Sequence, residues 1–230
     1  ATGTEIAANL IGLAERNNVT PAVTLVTRSR QLLPKRSKRL SQKISQLLLD
    51  RKLRLRLGEN VVATSNNGLL TATGQTIECE HAVLAVGLQA KSLTRQLGLS
   101  ASKKGLKVNA AMQSIDDPNV FAAGDCAAVR WVDGGRRPEQ LWYTARDQGR
   151  VAGRRLCGDR AVYDRGTWYN SAKLMDIEYT TAGLVSMNVE GEQNWFHEER
   201  GPVRSTTRIV LEGGRVIGFN LLGRRWDHAV

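Results

Sequence analysis

The chain has 230 residues, of which 41% are hydrophobic, and it carries a formal net charge of +11. This length and composition allow one large or two small domains with hydrophobic cores, and they exclude a disordered tail. No apolar run reaches the roughly 18 to 20 residues that a membrane-spanning helix needs, so we expect a soluble, cytoplasmic protein without a membrane span.

Cysteine and histidine residues provide no pattern typical of a disulfide framework or a metal site. The three cysteines are an odd number, widely spaced and without C-x-x-C pairs: Cys79, Cys126 and Cys157. We expect reduced structural thiols. The three histidines stand far from one another and from any cysteine at ligand spacing, so none is predicted to bind a metal: His81, His197 and His228.

The first third of the chain alternates helices with short strands. A helix is predicted over residues 4–17, with Ile6, Leu10 and Leu13 on one side. The later elements are a strand over residues 22–27, a basic helix, a strand over 53–57, a hairpin over 68–79 that turns at Thr73-Gly74, and a strand over 82–86. This order indicates an α/β fold with a mainly parallel, doubly wound sheet. Such a sheet binds its ligand beyond the carboxyl ends of the strands.

Most of the net positive charge lies in residues 28–56, which hold eleven Lys or Arg and one acid, Asp50. Ser37 can cap a helix here whose apolar positions follow helical spacing: Leu40, Ile44, Leu47 and Leu48. The basic residues then form either a solvated face or a docking face for an acidic protein or nucleic acid. Nucleic acid is the less favoured partner, because residues 28–56 contain no Phe, Tyr or Trp to stack on bases.

Two further blocks follow. Residues 88–159 include a strand-like run over 119–125 and a helix predicted over 138–156. From about Ala161 the pattern is that of an antiparallel meander, in which Gly213-Gly214 joins two alternating runs as a hairpin.

The stretch ATGTEIA, residues 1–7, places Gly3 where a helix begins. A glycine there lets the helix pack tightly on its strand, and the helix N-terminus offers N–H groups to a pyrophosphate, although helices also begin near glycine without any ligand. The next strand ends in Thr27, Arg28, Ser29 and Arg30, without the acid that would bind a ribose 2′-hydroxyl. The arginines favour the 2′-phosphate of NADPH; alternatively, they belong only to the basic surface.

The stretch NVFAAGDCAAV, residues 119–129, places Gly124 and Asp125 after an apolar run. A carboxylate at the carboxyl end of a strand can accept hydrogen bonds from sugar-like hydroxyls, and the glycine allows a ligand to approach the backbone. The alternative is a turn aspartate that caps the next segment.

Together these motifs resemble the FAD-dependent pyridine nucleotide oxidoreductases, which include rubredoxin and ferredoxin reductases, NADH oxidases and disulfide reductases. ATGTEIA resembles the end of the family's G-x-G-x-x-G-x-E turn, which implies that Thr2, Gly3 and Glu5 contact NAD(P). Residues 85–93 resemble the A-T-G-x-x-P-N turn, which implicates Gly87, but they depart from it at Val86, Ala90 and Lys91.

The same resemblance assigns a site for FAD. Residues 119–129 resemble the family's second FAD motif, in which Gly124 approaches the ligand and Asp125 would hold the ribityl chain. Residues 141–158 resemble the helix whose N-terminal end faces the flavin, so Gln140 and Leu141 are implied to lie against FAD, and the helix dipole would stabilise reduced flavin.

The resemblance implies an N-terminally truncated chain with three parts: an NAD(P)-binding domain over residues 1–87 that lacks its first strand, the second segment of a split FAD domain over 88–159, and a small antiparallel C-terminal domain over 160–230. Its implied function is to pass hydride from NADPH, or NADH, to FAD and electrons to an acceptor. Oxygen, a quinone and a small acidic electron-transfer protein are all open as electron acceptors. The resemblance also leaves open the assembly of a homodimer. The alternative function is an inactive or binding module that uses its basic helix to dock an acidic partner.

Overall fold

The computed structural model describes residues 2–20, 22–34, 38–88, 93–102, 105–185, 192–199 and 205–223. Four residues named in the sequence analysis lie outside these ranges: Ser37, Ala90, Lys91 and His228. The chain divides into two compact units, the first made of Ala1–Val86 with Thr167–Val230 and the second of Gly87–Gly166. Across the described ranges, no helix combines the length and the hydrophobicity that crossing a membrane requires.

The first unit begins with two helices and a parallel pair of strands. These elements are α1 (Thr2–Arg16), β1 (Thr24–Thr27), α2 (Lys38–Asp50) and β2 (Arg54–Leu57). Thr24 lies opposite Arg54 at one end of the pair and Thr27 opposite Leu57 at the other. The parallel pairing places both carboxyl ends at the same edge, and the α/β class predicted from the sequence is confirmed.

Helix α1 buries a different face from the one expected. Leu10 and Leu13, expected on the apolar side with Ile6, are 43% and 51% exposed. The buried positions are mostly small residues: Thr4, Ala7, Ala8, Ile11 and Gly12. A Cβ added at Gly12 would lie 3.2 Å from the Cα of Met175, so small side chains here allow a neighbouring backbone to approach. Close approach, rather than side-chain size, decides which face packs.

Helix α2 buries the face that its spacing predicts. Leu40, Ile44 and Leu48 are buried, and Leu47 packs partly buried against the same cluster. The basic residues are left on the other positions of the helix, as expected for an amphipathic element.

Three antiparallel strands follow, β3 (Val61–Ser65), β4 (Gly68–Thr71) and β5 (Thr76–Glu78), in the order β3-β4-β5. The predicted hairpin over 68–79 is confirmed, with Gly74 at a φ of 81° in its turn. The predicted strand over 82–86 is wrong: these residues are not in a strand, and Val83, Leu84 and Val86 are exposed. A strand exists only when a neighbour satisfies its backbone groups, and no described residue pairs with this run.

The second unit contains a small mixed sheet and one long helix. Its elements are α3 (Leu93–Gln96), β6 (Ala101–Ser102), β7 (Gly105–Lys107), β8 (Ala127–Arg130), β9 (Arg136–Arg137) and α4 (Trp142–Leu156). The strand order is β6-β7-β8-β9, and β7 runs parallel to β8.

Two predicted boundaries in this unit are wrong. The strand expected over 119–125 is reduced to a single bridge at Phe121, because Gly124 takes a φ of 71° and opens a 3-10 turn, Gly124–Cys126, before β8 begins. The helix expected from Pro138 starts at Trp142, because Gln140 has a φ of 56° and Leu141 is extended.

The chain then returns to the first unit with five antiparallel strands. They are β10 (Tyr169–Leu174), β11 (Ile177–Gly183), β12 (Glu192–Glu199), β13 (Ser205–Glu212) and β14 (Arg215–Leu222), in the order β10-β11-β14-β13-β12. The predicted hairpin at Gly213-Gly214 is confirmed. One hydrophobic cluster joins these strands to the helices of the N-terminal part, with Ile11, Ile44, Met175 and Leu222 among its buried members.

Candidate functional site

The N-terminus of α1 packs closely on β1 in the first unit. A Cβ added at Gly3 would lie 3.6 Å from Leu25 Cδ1 on β1 and 3.3 Å from Ala85 Cβ. The second distance is tighter than most real Cβ contacts, so glycine suits the close approach of Ala85 to this helix, while the distance to β1 is an ordinary van der Waals contact. Thr2 is exposed and Glu5 is partly buried in the same first turn.

The backbone beyond β1 is anchored to the backbone beyond β2. The Glu59 N–H donates to Thr27 O at 3.0 Å, and the Gly58 N–H donates to Ser29 O at 2.9 Å. Arg28 and Arg30 are exposed, and within the described residues neither forms an ion pair. Residues 28–30 form a bend instead of continuing the strand. The alternation of side chains between the two faces of a strand therefore does not apply to Arg28 and Arg30.

An acid lies at this sheet edge that the sequence analysis did not single out. Glu59 Oε1 accepts from Arg56 Nε at 2.8 Å, so a neighbouring guanidinium offsets its charge. Its position directly after β2 was the signal that could have identified it. Gly87, the remaining residue that was predicted to contact NAD(P), belongs to the second unit and has a φ of 101°.

Part of the basic stretch 28–56 is used inside the first unit. Ion pairs join Lys43 to Glu198, Arg51 to Asp176 and Glu15, and Arg56 to Glu59. The guanidinium of Arg39 lies over the Phe196 ring, 3.9 Å from its centroid. These contacts favour a structural and solvated basic face over a docking face.

In the second unit, the turn Gly124–Cys126 presents Asp125 to solvent. Gly124 occupies the left-handed region that glycine favours. Among the residues that the structure describes, none hydrogen-bonds to the Asp125 carboxylate. An exposed carboxylate on a constrained turn is available to accept hydrogen bonds from ligand hydroxyls.

The start of α4 lies beside this turn. A Cβ added at Gly124 would be 3.4 Å from Ala145 Cβ, and Leu141, the N-cap residue, provides no side-chain cap. The N-cap residue therefore supplies no side-chain acceptor to the first N–H groups of α4. The structure thus brings together the segments of Gly124, Asp125, Gln140 and Leu141. Carboxylate acceptor and N–H donors fit a ligand such as FAD, which carries both hydroxyls and ring acceptors.

A buried polar cluster behind these segments was missed by the sequence analysis. Glu139, 1% exposed at its side chain, accepts from Gln148 Nε2 at 2.8 Å, from the Tyr163 hydroxyl and from Arg165 Nε. Burial and the hydrogen bond to Glu139 raise the pKa of the Tyr163 hydroxyl above the ordinary value of 10.0, so it stays a donor beyond the pH at which an ordinary tyrosine ionises. The partners lie 9 to 26 residues from Glu139, and no local sequence pattern marks such a cluster.

The second unit also has an open cavity of about 580 Å³, lined by Trp131, Arg136 and Arg165 among others. Two of its three arginines are engaged: Arg136 donates to Val108 O, and Arg165 binds Glu139 and lies 4.1 Å from the Trp131 ring centroid. The cavity contains none of the predicted site residues.

The cysteines are free thiols, with Cys79 partly buried and Cys126 and Cys157 exposed. No three His, Cys, Asp or Glu side chains in the described part of the chain are arranged to hold a metal ion.

Residues 1–149 match the model of the family described as pyridine nucleotide-disulphide oxidoreductase. The chain belongs to this family. Its members are NAD(P)H-dependent flavoprotein oxidoreductases. The resemblance inferred from the sequence motifs is therefore confirmed.

Within the family, the chain is 32% identical to an NADH dehydrogenase-like protein of Mycobacterium tuberculosis over 221 residues, which cover 91% of this chain and 53% of that protein. The chain thus spans about half the length of this curated relative.

Two solved structures share the fold. An FAD-dependent pyridine nucleotide-disulphide oxidoreductase from Desulfovibrio vulgaris is 26% identical, with a TM-score of 0.76 over 96% of this chain and 57% of that one. An engineered water-forming NADPH oxidase, derived from the Lactobacillus brevis NADH oxidase and bound to NADPH, is 22% identical, with a TM-score of 0.77 over 96% and 53%.

Proposed function

We propose that this chain is part of a longer FAD-dependent oxidoreductase that takes its electrons from NADPH. Family membership supports a flavoprotein that uses a nicotinamide nucleotide. The choice of NADPH over NADH rests on one observation: Arg28 and Arg30 are exposed on an anchored bend at the carboxyl end of β1, where no acid from β1 itself opposes a 2′-phosphate.

The proposal assigns a role to each site residue. Thr2, Gly3 and Glu5 would lie against the NADPH pyrophosphate and nicotinamide side, Gly87 along the nucleotide, and Arg28 with Arg30 on the 2′-phosphate. Guanidinium groups suit this task because they donate charge-assisted hydrogen bonds to phosphate oxygens. The engineered NADPH oxidase carries an alanine in place of an aspartate, followed directly by an introduced arginine and serine. The chain has Thr27, Arg28 and Ser29, which are the same sequence of a non-acidic residue, arginine and serine.

For FAD, the proposal uses the second unit. Asp125 would accept from ribityl hydroxyls, Gly124 would let the ligand approach, and Gln140 with Leu141 would place the N-terminus of α4 against the ring system. When bound, FAD would supply two-electron redox chemistry, while the residues of this chain bind, orient and neutralise charge.

The domain assignment is likewise a proposal: residues 1–87 for NAD(P), 88–159 for FAD and 160–230 as the C-terminal domain. The unit boundaries after Val86 and Gly166 fall close to both proposed limits, although the proposed first and third domains share one compact unit. We also propose a cytoplasmic protein, supported by the three free thiols. The acceptor stays open, and the engaged basic residues of α2 reduce the support for an acidic protein docking there.

The decisive experiment uses the full-length protein that contains these residues. We expect a yellow protein whose flavin is reduced with a higher kcat/KM by NADPH than by NADH. One charge-assisted hydrogen bond contributes about 1.5 to 3 kcal/mol, or about 10- to 100-fold in affinity. Because the arginines are exposed, Arg28→Ala should lower kcat/KM for NADPH by about tenfold, near the lower limit of that range.

Arg54→Ala is the matched control. Arg54 is also exposed, but it lies opposite Thr24, at the far end of the β1–β2 pair from Arg28. The control should leave the NADPH to NADH ratio unchanged. Equal rates with both nucleotides, or an NADH preference that Arg28→Ala does not alter, would refute the NADPH assignment.

A further inference from the structure

The second unit contains a buried carboxylate to which the proposed function gives no role. Glu139 is 1% exposed at its side chain, and its two oxygens accept from Gln148, Tyr163 and Arg165. A carboxylate can only accept hydrogen bonds, so it dictates which atoms its partners present to it.

For Gln148 this dictates the orientation of the amide. Gln148 is 1% exposed, and its Nε2 donates to Glu139 Oε2 at 2.8 Å. The opposite end of the amide, Oε1, therefore faces Gly124 and accepts its N–H at 2.8 Å. A flipped amide would set its oxygen against the carboxylate and its NH₂ group against the Gly124 N–H, so both contacts would become repulsive.

The Gly124 N–H is the start of the turn that carries Asp125. Gly124 has a φ of 71°, and Ala123, the residue before the turn, contributes no side-chain cap. Gln148 is thus the side chain that ties the turn to α4. Glu139 also directly precedes Gln140 and Leu141 in the sequence, so the buried carboxylate lies next to the second segment assigned to FAD.

We infer that Glu139 and Gln148 are positioning residues for FAD: Glu139 orients the Gln148 amide, and Gln148 holds the Gly124-Asp125 turn in the conformation that binds the cofactor. This inference rests on the proposed function, in which Gly124 and Asp125 bind FAD. Neither side chain needs to touch the cofactor.

The test measures the FAD Kd of the full-length apoprotein by flavin fluorescence, well below the Tm of each variant. Gln148→Leu removes the acceptor of the Gly124 N–H and should raise the Kd about tenfold, as expected for one lost hydrogen bond to a poorly solvated group. The visible circular dichroism of flavin bound at saturation should change as well, because the ribityl end is no longer held in one position.

Tyr163→Phe is the matched control. It removes a hydrogen bond from the same Glu139 oxygen, and the hydroxyl's contact with the Gln148 side chain, but leaves Gln148 its bonds to Glu139 and to Gly124. We expect it to lower the Tm while the FAD Kd stays within about twofold of wild type, because the measurement compares folded proteins. Glu139→Gln provides a second variant with the expected behaviour of Gln148→Leu, should that one fail to fold.

The outcomes separate the two proposals. Wild-type protein that binds no FAD would overturn the proposed function. Wild-type protein that binds FAD, together with an unchanged Kd in Gln148→Leu or Glu139→Gln, would overturn only the positioning role. An increase in Kd in Tyr163→Phe as large as that in Gln148→Leu would also overturn it, because the effect would then follow any loss of packing around Glu139.

Discussion

The replacement of Gly183 by alanine tests the close approach between strands β11 and β14. Gly183 ends β11 with a φ of 69°, and an added Cβ would lie 2.2 Å from Ile217 O and 2.9 Å from Gly218 Cα. Both neighbours are backbone atoms of β14, so no side-chain rotation can relieve the overlap. The strands would have to separate where Leu184 N–H donates to Ile217 O at 2.7 Å.

The expected loss of stability has two parts. A left-handed conformation disfavours alanine relative to glycine by about 1 to 2 kcal/mol. Separation of the strands weakens the hydrogen bond of Leu184 to Ile217, which contributes about 0.5 to 1.5 kcal/mol. Gly183→Ala should therefore lower the free energy of unfolding by about 1.5 to 3.5 kcal/mol.

Gly213→Ala is the control for this prediction. Gly213 has a similar φ of 55°, but an added Cβ would meet no atom within 4 Å. It should show only the conformational part, about 1 to 2 kcal/mol. Urea unfolding, followed by far-UV circular dichroism with a check that the m-value stays constant, measures both variants. Equal losses in the two would show that the backbone overlap contributes nothing, and the reasoning would fail.

Three further changes test the site and the core. Asp125→Ala in the full-length protein should yield largely flavin-free material, since the carboxylate is a proposed FAD ligand; stoichiometric FAD at unchanged affinity would contradict that role. Ile44→Ala, at a fully buried position of α2, should lower the free energy of unfolding by about 2 to 5 kcal/mol, whereas Leu49→Ala, 47% exposed, should change it by less than about 1 kcal/mol. The Tyr163 hydroxyl should titrate above the ordinary tyrosine value of 10.0, as tested by comparing ultraviolet pH titrations of wild type and Tyr163→Phe. Because folding raises this pKa, the neutral Tyr163 hydroxyl contributes to the free energy of unfolding below pH 10, and this contribution is lost as the pH rises towards the pKa of the folded state. If the wild type showed one more tyrosine ionising near pH 10 than Tyr163→Phe does, the predicted shift would be contradicted.

The correct predictions concern elements that are determined by interactions between residues close in the sequence. Helix α2 followed from the spacing of Leu40, Ile44 and Leu48, and the β13–β14 hairpin followed from Gly213-Gly214, because periodicity and turn chemistry act within a few residues. The family also followed from short motifs, since each glycine and acid lies at a fixed distance from a strand or helix.

The wrong predictions concern effects of distant neighbours. Residues 82–86 are apolar enough for a strand, but a strand also needs a partner for its backbone. Helix α1 buries Ala7, Ala8 and Ile11 instead of Leu10 and Leu13, and the Met175 backbone lies close to Gly12 of this helix, a contact that no periodicity reveals. The Glu139 cluster escaped for the same reason: its members are brought together only by the folded second unit.

The division of the first unit into Ala1–Val86 and Thr167–Val230 has a consequence for synthesis on the ribosome. Its hydrophobic cluster contains Ala8 and Ile11 from the beginning of the chain and Ile177 and Leu222 from near its end. The intervening residues 87–166 take roughly 4 to 16 s to translate at about 5 to 20 residues per second, and during that time the apolar face of α2 lacks its C-terminal partners. The contiguous second unit can complete its own contacts first, so the nascent first unit exposes apolar surface to chaperones for longer than the second unit does.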